Sequence, residues 1–200
     1  MNTQHSLPLA DRLGDIVRSS PRLMQVLEIA RDLDLQDWRI VSGAIYQTVW
    51  NALTGRDPDY GIKDYDLVYF DASDISYEAE DVVIRRVAAA FEPPLRDLVE
   101  VRNQARVHLW FEAHFGEPYS PVSCSDEALE RFVSPAYAVG VRLEQDGRLD
   151  VAAPFGLDDL FAMKLRPNPN RPLASHWSTV SRGVLTRWPE VVIEGPPIAP

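Results

Sequence analysis

Asp64 and Asp66 lie two positions apart in the run Lys63-Asp64-Tyr65-Asp66-Leu67-Val68-Tyr69-Phe70. The run alternates and is rich in β-formers, so residues 63–70 read as a strand. Residues two apart in a strand project from the same face. Both carboxylates therefore point the same way, with Tyr65 on the opposite side. Two carboxylates held so close repel each other unless a cation lies between them or one takes a proton. A hard divalent cation with oxygen ligands, Mg²⁺ or Mn²⁺, suits the pair and keeps positions open for water and phosphate oxygens. The plainer alternative is an exposed acidic pair at a strand's start. The apolar Leu67-Val68 that follows is less usual for a solvated acidic edge.

Two other segments carry chemistry. Ser42-Gly43-Ala44 separates a short strand, Arg39-Ile40-Val41, from a helix over 44–54 that Gly55 ends. Glycine permits a tight turn and a close backbone approach, and a helix N-terminus takes phosphate oxygens. An ordinary strand-to-helix turn would favour glycine too. Glu100 is a charge inside the apolar stretch Leu98-Val99-Glu100-Val101, and Arg102, Gln104, Arg106 and His108 follow at intervals of two. This is one polar face of a strand, able to meet a triphosphate or a base, or else simply solvated. Arg102 and Arg106 can each grip a phosphate through two N–H groups, or pair with one of the many acids. Lys63 either approaches phosphates or is a surface lysine.

The elements that must hold these residues follow from periodicity. Helices are expected over 8–18 and 21–35, with Pro8 and Pro21 where a first turn tolerates proline. Another is expected over 76–91, stopped by Pro93-Pro94. Residues 97–111 read as one long strand, or as two around Asn103-Gln104. Ser125 is placed to cap a helix over 126–133. Segments 138–143 and 148–152 flank Gln145-Asp146-Gly147, a short-hairpin signal. A helix over 157–164, a proline-punctuated loop over 165–172 and a last helix over 174–188 complete the chain. Tyr46 and Trp50 share a helix face, and core packing is the preferred reading over base stacking. The order argues for an α/β (α+β) fold, a mixed β-sheet with covering helices. The expected organisation is a single domain over 1–200, with a core over 22–112 and a small C-terminal α/β extension over 113–200 packed on it.

Composition sets limits. The 200 residues include 30 acidic and 20 basic ones, for a formal net charge of −10. That disfavours long nucleic acid as a partner, since broad binding needs a basic surface to displace counterions. It leaves room for a nucleotide bound through a metal ion. The single cysteine, Cys124, allows no internal disulfide and reads as inert. Five tryptophans are many for this length, enough for some to line a surface or pocket. The N-terminus shows no secretory pattern and no stretch is long enough to span a bilayer, so no membrane and a cytoplasmic address are expected.

Taken together, the Gly43 turn, the Asp64/Asp66 pair and Glu100 resemble the polymerase-β-like nucleotidyltransferase superfamily. More narrowly, SGAIYQTVWN, GIKDYDLVYFD, VEVRNQARVHLW and GLDDLFAMKLRPNP resemble a bacterial family of nucleotidyltransferase-like proteins, over roughly residues 22–190. The resemblance implies a polymerase-β-like nucleotidyltransferase core and transfer of a nucleoside monophosphate from a nucleoside triphosphate to an unknown acceptor. Asp64, Asp66 and Glu100 would be the catalytic and metal-binding acids. Ser42, Gly43, Ala44, Lys63, Arg102 and Arg106 would bind substrate. The chain departs from the superfamily pattern in Ala44 at the second turn position, in a longer spacing from Gly43 to Asp64, and in Glu as third acid. These departures keep open a degenerate relative that binds a nucleotide or a protein without catalysis.

Overall fold

The computed structural model describes residues 8–197. The expectation of no secretory leader falls partly on residues 1–7 and there lies outside the described residues. Strands β1 (Arg39–Val41), β2 (Tyr65–Tyr69), β3 (Val99–Asn103), β4 (Gly140–Leu143) and β5 (Leu149–Ala152) form a five-stranded sheet in the order β3-β2-β1-β4-β5. Only β2 and β3 run parallel; the other neighbours are antiparallel. The sheet is thus mixed, as expected. Residues 140–152 supply two of its five strands.

Alternation along β2 sorts its side chains. Tyr65, Leu67 and Tyr69 enter the main hydrophobic core with Ile40, Val101 and Val141. That face is covered by α1 (Leu9–Arg18), α2 (Pro21–Asp32), α3 (Gly43–Thr54) and α4 (Tyr77–Ala90). Asp66 and Val68 project to the other face. There Val41, Val68, Ala138, Ala152 and Leu129 form a smaller apolar cluster, and short helices α5 (Phe111–Phe115) and α6 (Ser125–Leu129) follow. The last part of the chain adds α7 (Asp158–Phe161), strand β6 (Lys164–Leu165), α8 (Trp177–Arg187) and strand β7 (Val192–Ile193), with β6 and β7 paired in parallel.

Helix α3 is buried at every position from Ala44 to Asn51. Its Trp50 donates Nε1–H to the Leu160 carbonyl of α7 at 2.9 Å, and Tyr46 stacks on Tyr137 with centroids 4.1 Å apart. Core packing is therefore a role of both aromatics. Asn51 donates to the Pro58 and Tyr60 carbonyls at 3.1 and 2.8 Å and accepts from Trp188 Nε1 at 2.9 Å. One buried amide thus pins the 55–62 loop and the end of α8 to α3.

The long strand expected over 97–111 stops at Asn103; Gln104–Leu109 is a 3₁₀ helix. The cause is local. Asn103 Oδ1 accepts from the N–H groups of Asp71 and Ala105, each at 3.1 Å, and Nδ2 donates to the Asp71 carbonyl at 2.8 Å. A side chain that caps the following turn competes with the sheet ladder. The helix expected over 126–133 is only Ser125–Leu129, and its N-terminal cap is Cys124, whose Sγ accepts from the Glu127 N–H at 3.4 Å. The helix expected over 157–164 gives way to β6 at Lys164. Among the described residues no helix is long and apolar enough to cross a membrane.

Asn103 is buried and leaves three backbone groups without partners when truncated. Asn103→Ala is expected to lower unfolding free energy by about 2–3 kcal/mol in urea titration, with loss of order in the 71–76 and 104–109 segments by hydrogen exchange.

Candidate active site

The turn that opens α3 is held in an uncommon shape. Ser42 has φ +53° and ψ −113°, a region that costs a non-glycine residue about 1–3 kcal/mol and that clusters at functional sites. Its N–H donates to the Val139 carbonyl at 3.1 Å, and its carbonyl accepts from Ile45 and Tyr46 at 2.9 and 3.0 Å. These bonds at both ends hold the residue in place. The first two N–H groups of α3, on Gly43 and Ala44, make no hydrogen bond among the described residues. The helix therefore presents free donors and the positive end of its dipole at this turn.

Gly43 matters for what lies beside it. A Cβ there would sit 3.2 Å from Gln47 Nε2 and 3.8 Å from Asp64 Oδ1. The bare Cα leaves room for the Gln47 amide, and the Asp64 carboxylate lies at contact distance beside it. Asp66 follows two residues on and pairs in register with Val41 of β1 and Glu100 of β3. The three acids thus occupy neighbouring positions on one side of the sheet. Burial pushes the Asp66 carboxyl up to about 6, and the nearby charges of Asp64 and Glu100 raise it further than Arg102 lowers it.

Glu100 is more than half exposed, and its Oε2 lies 3.5 Å from Arg102 Nη2. Among the described residues no three His, Cys, Asp or Glu side chains are gathered closely enough to hold a metal ion. Asp64 and Asp66 are thus brought together with Ser42, Gly43 and Lys63, while Glu100 stands at the edge with Arg102. Arg106 is elsewhere: it is buried, paired with Glu80, and donates to the Ile75 carbonyl at 2.8 Å. Ala44 is fully buried behind the turn.

Two cavities adjoin this ridge and share part of it. The first, about 420 Å³, is lined by Gly43 and Gln47 and by the charged side chains of Lys63, Asp64 and Arg187. The second, about 410 Å³, is largely aromatic and includes Trp110, Phe111, Phe115 and Tyr119. Ser42, Asp66 and Tyr137 line both. Arg187 escaped the sequence reading. It donates to Gln47 Oε1 at 3.2 Å and to the Gly61 carbonyl at 3.3 Å, and its guanidinium lies 4.6 Å from the Trp188 ring centroid. No spacing rule links residue 187 to residue 64, because α8 reaches the site only through tertiary packing. The aromatic set was hinted at by the high tryptophan count alone.

A solved structure described as revealing a CCA-adding enzyme head domain superimposes with a TM-score of 0.75 at 24% identity, covering 93% of this chain and 96% of that one. This likeness shows the fold. Residues 28–193 match the profile of a nucleotidyltransferase family, and the chain belongs to that family. No curated protein sequence matches it.

The raised Asp66 carboxyl has a consequence for stability. Its folded-state pKa of about 6 lies above the ordinary 3.8, so folding favours the protonated form. Stability is then greatest below pH 4 for this group and is lost as pH rises through about 6. In metal-free buffer, Asp66→Asn is expected to stabilise the fold by about 2–3 kcal/mol above pH 7 and by almost nothing below pH 4. Denaturant midpoints of both proteins across that range check it.

Proposed function

We propose that this chain transfers a nucleoside monophosphate from a nucleoside triphosphate to an acceptor, with Mg²⁺ or Mn²⁺ held by Asp64 and Asp66. The observation that carries the reading is that Asp64 and Asp66 line one cavity with Gly43, the first residue of α3, whose N–H is free among the described residues. Membership of the nucleotidyltransferase family supports the reaction class.

The donor set fits a hard cation. Two carboxylates share one face, and Asp66 is destabilised as an anion by burial and by its acidic neighbours, a penalty that a divalent ion would remove. When bound, such an ion supplies charge neutralisation at the α-phosphate. The remaining work belongs to the chain. The Gly43 N–H takes a phosphate oxygen, with Ser42 fixing the turn and Ala44 packed behind it. Lys63 and Arg187 offset the charge of the departing pyrophosphate. Glu100 serves as third carboxylate and accepts the proton of the attacking group, and Arg102 binds substrate on the outer edge. Residues 22–112 carry the acids, and residues 113–200 contribute Arg187 and much of the aromatic cavity. Arg106 has a structural role in place of the phosphate contact expected from spacing, since its guanidinium is paired with Glu80.

One observation favours a second reading, nucleotide binding without turnover: Glu100 engages Arg102, and three ligands are not gathered. Labelled triphosphates incubated with protein, Mg²⁺ and cell extract distinguish the two. Catalysis predicts a labelled species that falls by at least about 100-fold with Asp64→Asn or Asp66→Asn, with melting profiles showing folded protein. Triphosphate binding that persists in chelator, with no labelled species formed by the wild type, would establish the non-catalytic reading.

A further inference from the structure

The two cavities that share Asp66 differ in chemistry, and the difference bears on the acceptor. In an in-line displacement the attacking group and the leaving group lie on opposite sides of the phosphorus. The first cavity holds Lys63 and Arg187, which suit pyrophosphate. The aromatic cavity adjoins it through Ser42, Asp66 and Tyr137 and is the neighbouring space from which attack could come.

Its walls are built for a flat apolar body. Phe111 packs against Phe115 and Tyr119 with centroids 4.7 Å apart in each pair, and Trp110 lies 6.1 Å from Phe111. None of these four aromatics belongs to either hydrophobic cluster of the fold. Phe115 is 47% exposed. Aromatic surface left out of the core in one concave patch marks a binding site.

The charges around it are already spent. Arg171 pairs with Glu117 and donates to the Arg131 carbonyl at 2.7 Å. Arg131 lies 3.4 Å from Glu127, and Arg102 lies 3.5 Å from Glu100. Each arginine of the wall thus faces a carboxylate, so the wall carries little uncompensated positive charge for a polyanion. Burying a nucleobase would strand the several donors and acceptors along its edge, which is costly without partners. Among the buried donors of the wall, Arg131 Nε makes no hydrogen bond. A volume of about 410 Å³ matches cavities that enclose a whole small molecule rather than one ring.

Building on the nucleotidyl-transfer reading, we infer that the aromatic cavity is the acceptor site, and that the acceptor is a small, largely uncharged hydroxylated compound with a flat apolar body. Its hydroxyl oxygen forms a bond to the α-phosphorus. The bond from that phosphorus to the bridging oxygen breaks, and pyrophosphate leaves with the electron pair. The hydroxyl proton passes to a carboxylate of the ridge and on to solvent.

The test uses 2-naphthol as probe, Mg·ATP as nucleotide and a short oligoribonucleotide as competitor, each titrated calorimetrically into the full chain. Phe111→Ala and the more exposed Phe115→Ala are compared with wild type, and their melting profiles confirm folding. The expected result is naphthol binding weakened at least about 10-fold by Phe111→Ala and severalfold by Phe115→Ala, with Mg·ATP affinity within about 2-fold of wild type. Absence of naphthol binding to wild type overturns the proposal. So does displacement of naphthol by the oligoribonucleotide, or an equal loss of Mg·ATP affinity in the variants, which would place the nucleoside in this cavity. Naphthol binding by a wild type that fails to bind Mg·ATP would instead sink the nucleotidyl-transfer reading and leave the ligand class of the cavity standing.

Discussion

Like charges on adjacent strand positions must be held together by something stronger than their repulsion. Here Asp66 and Glu100 are paired in register on β2 and β3, and Asp64 precedes Asp66 on the same face. The opposing force comes from the other side of the sheet. Tyr65, Leu67 and Tyr69 are each almost fully buried, and they fix the strand whose alternate positions carry the acids. Burial of large apolar side chains contributes about 1.5–3 kcal/mol apiece, enough to hold an anionic ridge that is unfavourable alone. A raised Asp66 pKa is the visible trace of that compromise.

Helix α3 links the ridge to the rest of the molecule. Its N-terminal turn carries the free donor of Gly43, and its own Trp50 packs against Tyr137 and Trp188. The strained Ser42 backbone persists because the Val139 carbonyl and the first helical turn both hold it. The geometry beside Asp64 is therefore set by core packing several residues away rather than by contacts within the site.

Much of this was legible from sequence where the signal is local. The Asp64/Asp66 alternation, the Gly43 turn and the hairpin around Gln145-Asp146-Gly147 each depend on residues within a few positions of one another, and the sheet class followed from their order. The 97–111 segment was misread because Asn103 ends the strand through a side-chain bond to Asp71, 32 positions earlier, which no periodicity reveals. Arg106 kept strand-like spacing with Glu100 and yet turned inward to Glu80. Arg187 carried no local signal at all. The short strands β6 and β7, two residues each, fall below the length at which alternation has meaning.

Arg187 bridges Gln47 and Gly61 from the far end of the chain, 140 and 126 positions away. On a ribosome, where segments fold as they emerge, the turn and its acids would be made long before the helix that completes their polar wall. The cavity is finished only after residue 187 has emerged, so nascent chains would carry the acidic ridge with Lys63 but without Arg187.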